Sequence, residues 1–125
     1  MDTLIWIGQG ILAFIFLVSG FFKSTHTERW LVTHNQTGVE GLPSHLIKFI
    51  GICELLGSAG LILPWYIQIA PVLTPIAASL FAVVMMLAAP IHYKRKELQN
   101  VAINVSIMVL CILVAIGRFK DFAAE

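Results

Sequence analysis

The sequence predicts an all-α fold, an integral membrane four-helix bundle with up-down topology, and three observations carry that expectation. Of the 125 residues, 58% are hydrophobic and only 12% are charged, about half the charged share of an ordinary soluble domain. The charges gather in short clusters between four long apolar runs. Each run has about 17–25 residues, enough to cross roughly 30 Å of hydrocarbon at ~1.5 Å per residue. In lipid every backbone polar group must be satisfied within its own segment, so such runs read as helices. The length suits a single domain over residues 1–125.

The first apolar run covers about Thr3–Phe22, with Asp2 before it and Lys23 after it. It has no basic start and closes on Phe21-Phe22-Lys23 rather than a small-residue cleavage site, so it reads as a retained span rather than a signal peptide. Ser24–His45 is the one sizeable polar stretch, and Glu28 to Val32 within it suggest a short amphipathic helix on the membrane surface. The Asn35-Gln36-Thr37 sequon is too short and common a pattern to carry weight.

The second run covers about Leu46–Leu63, with the hydroxyl of Ser44 after Pro43 as an expected N-cap. Pro64-Trp65-Tyr66 is expected to end it and to place two amphipathic rings at an interface. A tight hairpin around Pro64–Pro71 leads into the third run, about Ile67–Ile91, which His92-Tyr93-Lys94-Arg95-Lys96 stops with a basic cluster. The fourth run covers about Val101–Gly117, and Arg118 marks its expected end.

Charge placement sets the expected orientation. Six cations (Lys23, Arg29, Lys48, Lys94, Arg95, Lys96) fall on the side of the two loops, against Arg118 and Lys120 on the other. The positive-inside rule then puts both termini on the non-cytoplasmic side, in a bacterial cytoplasmic (inner) membrane. The net charge of +1, with no basic stripe, excludes nucleic acid as a partner. Cys53 and Cys111 lie inside apolar segments and form no C-x-x-C, so they read as small buried hydrophobes.

Few polar groups lie within the spans, and Glu54 is the most informative of them. It sits about 12 Å below the basic interface, where an unpaired charge costs a few kcal/mol or more. Gly51, Gly57, Ser58 and Gly60 beside it allow close helix approach. Three further stripes follow helical spacing: Gln9, Ala13, Phe16, Gly20 and Lys23; Ala78, Ala82, Met85, Ala89 and His92; Asn100, Asn104, Cys111, Ala115 and Arg118. Their lower ends meet on the basic side. Lys23, Glu54, His92, Asn100 and Asn104 are therefore expected to converge on one polar pocket. In it Glu54 and His92 are the candidate acid–base residues, and Lys23, Asn100, Asn104, Ser19 and Ser58 the candidate ligand contacts. The plainer alternatives are a Lys23 that snorkels to headgroups, a His92 that sits at the interface, an Asn104 that glues helices, and small-residue stripes that only pack. No bound metal is expected.

Several segments in order carry a resemblance: Phe16-Leu17-Val18-Ser19-Gly20-Phe21-Phe22-Lys23, Gly41-Leu42-Pro43, Gly51-Ile52-Cys53-Glu54-Leu55-Leu56-Gly57 on to Pro64, Ala82 to His92, and Asn100 to Arg118. Across nearly the whole chain the sequence resembles the DoxX family, specifically its short DoxX-like branch, with the Glu-Leu-Leu-Gly element its most specific part. The resemblance implies a four-helix membrane protein, and relatives are linked to thiosulfate:quinone oxidoreduction and to membrane redox or sulfur-stress complexes. This chain has no thiol pair, no dinucleotide-binding glycine fingerprint and no mid-span haem-ligand pair. Redox chemistry would need a quinone or a partner subunit. The leading expectation is a protein that binds a small lipophilic molecule, with a quinone as first choice, beside Glu54, as a component of a membrane oxidoreductase system. Two others stand beside it. One is a non-redox membrane enzyme that isomerises or cyclises an apolar substrate by acid–base catalysis with Glu54 and His92. The other is a non-catalytic assembly subunit in which Lys23–Glu54 fixes helix register. A homo-oligomer through the small-residue faces fits any of these.

Overall fold

A computed structural model describes residues 2–124. Four long helices, α1 (Asp2–Thr25), α3 (Ser44–Ile67), α4 (Leu73–Lys94) and α5 (Leu98–Ala123), alternate in direction, and the short α2 (Glu28–Thr33) and a 3₁₀ turn at Thr37–Val39 fill the one long loop. All four are long and apolar enough to cross a membrane. Neighbours run antiparallel around a square: α1 packs on α3 and α5, and α4 packs on α3 and α5. Large side chains such as Leu4, Phe14, Leu56, Leu80 and Leu113 point outward, as they do when the surrounding solvent is hydrocarbon. The fold is the all-α membrane bundle that the sequence predicts.

The interior is narrow. Leu12, Phe16, Leu61, Ala78, Phe81, Cys111 and Val114 form the central core. Phe16 and Phe81 stack across it with centroids 3.7 Å apart and planes 8° from parallel. Because lipid tails are as apolar as leucine, helix association here rests on close packing rather than on apolar burial. Gly20 and Gly51 provide the closest approach: a Cβ on Gly51 would lie 2.8 Å from the Gly20 carbonyl oxygen and 2.7 Å from the Ser24 amide nitrogen. The predicted stripes face inward, with Gln9, Phe16, Gly20, Ala78, His92, Asn100, Cys111, Ala115 and Arg118 all buried.

Helix ends depart from expectation in three places. Pro64 does not end the second span; α3 carries it inside and runs on to Ile67, where Gln68 turns left-handed at φ 56°. Proline has no N–H to give the Gly60 carbonyl one turn back, and the Thr74 hydroxyl supplies that donor at 2.9 Å. The turn accordingly falls at Gln68–Val72, so α4 starts at Leu73, later than the apolar pattern alone suggests. Ser44 is not a cap: the capping position is Pro43, and no side chain caps the helix. Arg118 does not end the fourth span either, because α5 continues to Ala123.

In the loop, Thr27 caps α2 by accepting from the Trp30 amide, and Leu31 packs with Val39 and Ile47 in a second small core. His26, Trp30 and His34 stack in series at 3.8 Å spacing. The predicted amphipathic helix is thus present and fastened to the bundle end.

Candidate functional site

Three polar assemblies occupy the bundle. The first pairs α1 with α3: Lys23 Nζ donates to Glu54 Oε1 at 2.5 Å. Glu54 is 6% exposed, and the Gly20–Gly51 contact draws the two backbones close enough for the lysine to reach it. Its second oxygen, Oε2, is buried without a hydrogen-bond partner among the described residues. Burying a carboxylate oxygen that nothing satisfies is costly, so this atom is the most informative one in the molecule. Ser58 Oγ donates to the Glu54 main-chain oxygen at 3.0 Å rather than to its carboxylate.

Glu54 also lines an apolar groove of about 680 Å³ between α3 and α4. Phe49, Cys53 and Leu56 form one wall, and Ile76, Leu80 and Val84 the other. Its floor is made where Gly57 admits the edge of the Phe81 ring; a side chain at Gly57 would run into that ring. Leu56 and Leu80 on the rims are 69% and 62% exposed, so the groove opens sideways through the outer face of the bundle. Cys53 lies exposed beside Glu54, not buried as its apolar context suggests, whereas Cys111 is in the core.

The second assembly clamps the long loop to the α4–α5 turn. Glu97 Oε1 accepts from Thr37 Oγ1 and from His92 Nδ1, both at 2.7 Å. Asn35 and Asn100 exchange amide hydrogen bonds at 3.1 Å in both directions, and Arg95 joins Glu97 to Glu40. The His92 hydrogen bond, then that of Thr37, pulls the Glu97 carboxyl down to about 2. Pairing with Glu40 and Glu97 raises Arg95. His92 and Asn100 therefore meet each other through Glu97, and among the described residues no hydrogen bond joins them to Lys23 or Glu54. The one predicted pocket is two assemblies. Asn104 hydrogen-bonds to neither, its Nδ2 being buried and unpartnered among the described residues, and Ser19 is half-buried on α1.

The third assembly sits at the opposite end. Arg118 is completely buried, with Nε donating to Gln9 Oε1 and Nη1 to Asp2 Oδ1, each at 2.6 Å. Its guanidinium lies 4.7 Å from the Trp65 ring centroid and 5.2 Å from that of Trp6. Gln9 passes the network on by donating to the Leu61 carbonyl at 2.6 Å. Trp65 is thus a buried partner of a cation, not the interface ring expected from sequence, while Tyr66 stays exposed and meets Trp6 edge-on.

A sequence model of the DoxX-like family matches residues 7–114, from the first helix into the last. The chain belongs to the DoxX-like family. No curated protein and no solved structure matches it. The DoxX-like match takes in Glu54, Lys23 and the whole α3–α4 groove, and stops short of Arg118. Four apolar helices together with this membership make the chain an integral membrane protein. Thr37 and Glu97 are the residues that sequence reasoning missed: one stands in a loop and the other just before a helix, so neither lies on a periodic stripe.

Proposed function

We propose that this DoxX-like protein binds a small lipophilic molecule in the α3–α4 groove, with the polar head of that molecule at Glu54. A quinone is the first choice, and the chain would act as a component of a membrane redox system whose electron-carrying cofactor belongs to a partner subunit. One observation carries the reading: an unpartnered, buried carboxylate oxygen belongs to a residue that lines an otherwise apolar groove open to the outer face. Binding sites for small molecules have this character, apolar walls with a few fixed polar groups. Lys23 would hold the carboxylate in place, and Phe81 over Gly57 would form the surface on which a ring lies. The basic loop side supports a cytoplasmic placement of Lys23 and Arg95, in a bacterial inner membrane with both termini outside.

The test is a preparation from native membrane, extracted and read by mass spectrometry. A quinone or other apolar small molecule enriched over bulk lipid, and lost in Glu54→Gln at unchanged fold, is the expected result. No enrichment in the parent protein would remove the proposal. A second reading, the assembly subunit, draws support from the closed Lys23–Glu54 pair at the Gly20–Gly51 contact; there Glu54→Gln changes stability and leaves co-purified small molecules alone.

A further inference from the structure

Glu54 has two oxygens, and they are not equivalent. Oε1 takes the Lys23 ammonium at 2.5 Å, whereas Oε2 is buried with no partner among the described residues. A carboxyl that faces an ammonium is a hydrogen-bond acceptor at both oxygens, so whatever meets Oε2 must bring a donor. Lys23 already supplies the counter-charge, so that donor has no reason to be a cation.

We infer that the groove selects lipophiles bearing a hydroxyl, such as a phenol, and within the quinone class the reduced quinol over the oxidised quinone, because a carbonyl or ether head has no proton to donate to Glu54 Oε2. This rests on the lipophile-binding reading above and names the head group it takes. The apolar wall between Glu54 and Gly60 is about 9 Å long and receives the tail, toward the α3–α4 turn.

The probe pair is 4-nonylphenol and its methyl ether, which share a tail and a ring and differ in the proton. Binding is measured on the full chain in phosphatidylcholine nanodiscs and normalised to the amount of each probe dissolved in the lipid. The phenol is expected to bind about 10- to 100-fold more tightly, the range of a hydrogen bond to a charged group. In the Lys23→Met/Glu54→Leu protein, where both charges leave together, the two probes are expected to bind alike. Equal affinities in the parent protein, with both abolished by the groove-filling Cys53→Trp, would overturn the hydroxyl inference and leave lipophile binding standing. A preference for the ether would do the same. Failure of either probe to bind the parent protein would remove both.

Discussion

Arg118 and Gln9 join the last helix to the first at 2.6 Å, with the guanidinium wholly enclosed between two tryptophans. Gln9→Leu leaves the Arg118 Nε–H buried with nothing to donate to. The cost should be about 1–3 kcal/mol, the desolvation penalty of an unsatisfied buried donor. Arg118→Lys should cost a similar amount, because an ammonium cannot donate in the guanidinium's plane while stacking on indole. Thermal unfolding in detergent measures both; a midpoint for Gln9→Leu equal to the parent's would show that the bridge contributes nothing.

Lys23 and Glu54 should be strongly coupled. Removing one partner strands the other charge inside the bundle, whereas removing both leaves apolar surface against apolar surface. Lys23→Met alone is expected to destabilise by roughly 3 kcal/mol or more, and the double variant Lys23→Met/Glu54→Leu by much less. A double-mutant cycle with additive effects would contradict the pairing.

Thr74 serves Pro64. Thr74→Val takes the hydroxyl from the Gly60 carbonyl and should cost about 1 kcal/mol or somewhat more. In a Pro64→Ala background the restored amide at position 64 can bond Gly60 itself, so the same Thr74→Val change should then be nearly silent. An equal cost in both backgrounds would mean that the hydroxyl acts elsewhere.

The loop clamp should respond to acid. The folded Glu97 carboxyl titrates near 2, below its usual 4.5, so the clamp is at full strength above about 4.5 and weakens as the pH falls toward 2. Amide protection factors, corrected for the pH dependence of intrinsic exchange, should fall in residues 34–40 across that window, while those in the middle of α3 stay constant. Glu97→Gln should show the lower protection already at neutral pH, with little further change on acidification. A parent protein whose loop protection does not change between about pH 5 and about pH 2, across the Glu97 window from 4.5 to about 2, would refute the clamp.

Much of this was legible in the sequence, and the reasons are physical. Four apolar runs of spanning length admit almost no fold but a helical bundle, and a lone carboxylate in such a run demands a partner, which made Lys23–Glu54 readable. Arg118 was misread because a cation near the end of a span looks like an interface anchor; its burial depends on Trp6, Trp65 and Gln9 arriving from other helices. Pro64 was misread because the donor that excuses it lies ten residues on, at Thr74. The separation of His92 from Glu54 follows from Glu97, which has no helical period to announce it and captures the imidazole locally.

The sideways opening of the α3–α4 groove has a consequence for how its contents are chosen. A lipophile bound there, as proposed, would enter through the acyl chains, so its chemical potential would be fixed by how much of it is dissolved in the bilayer rather than by its aqueous concentration. On that reading a compound strongly enriched in the membrane would fill the groove with only a modest intrinsic grip, and dilution with extra lipid would empty it while dilution with water would not.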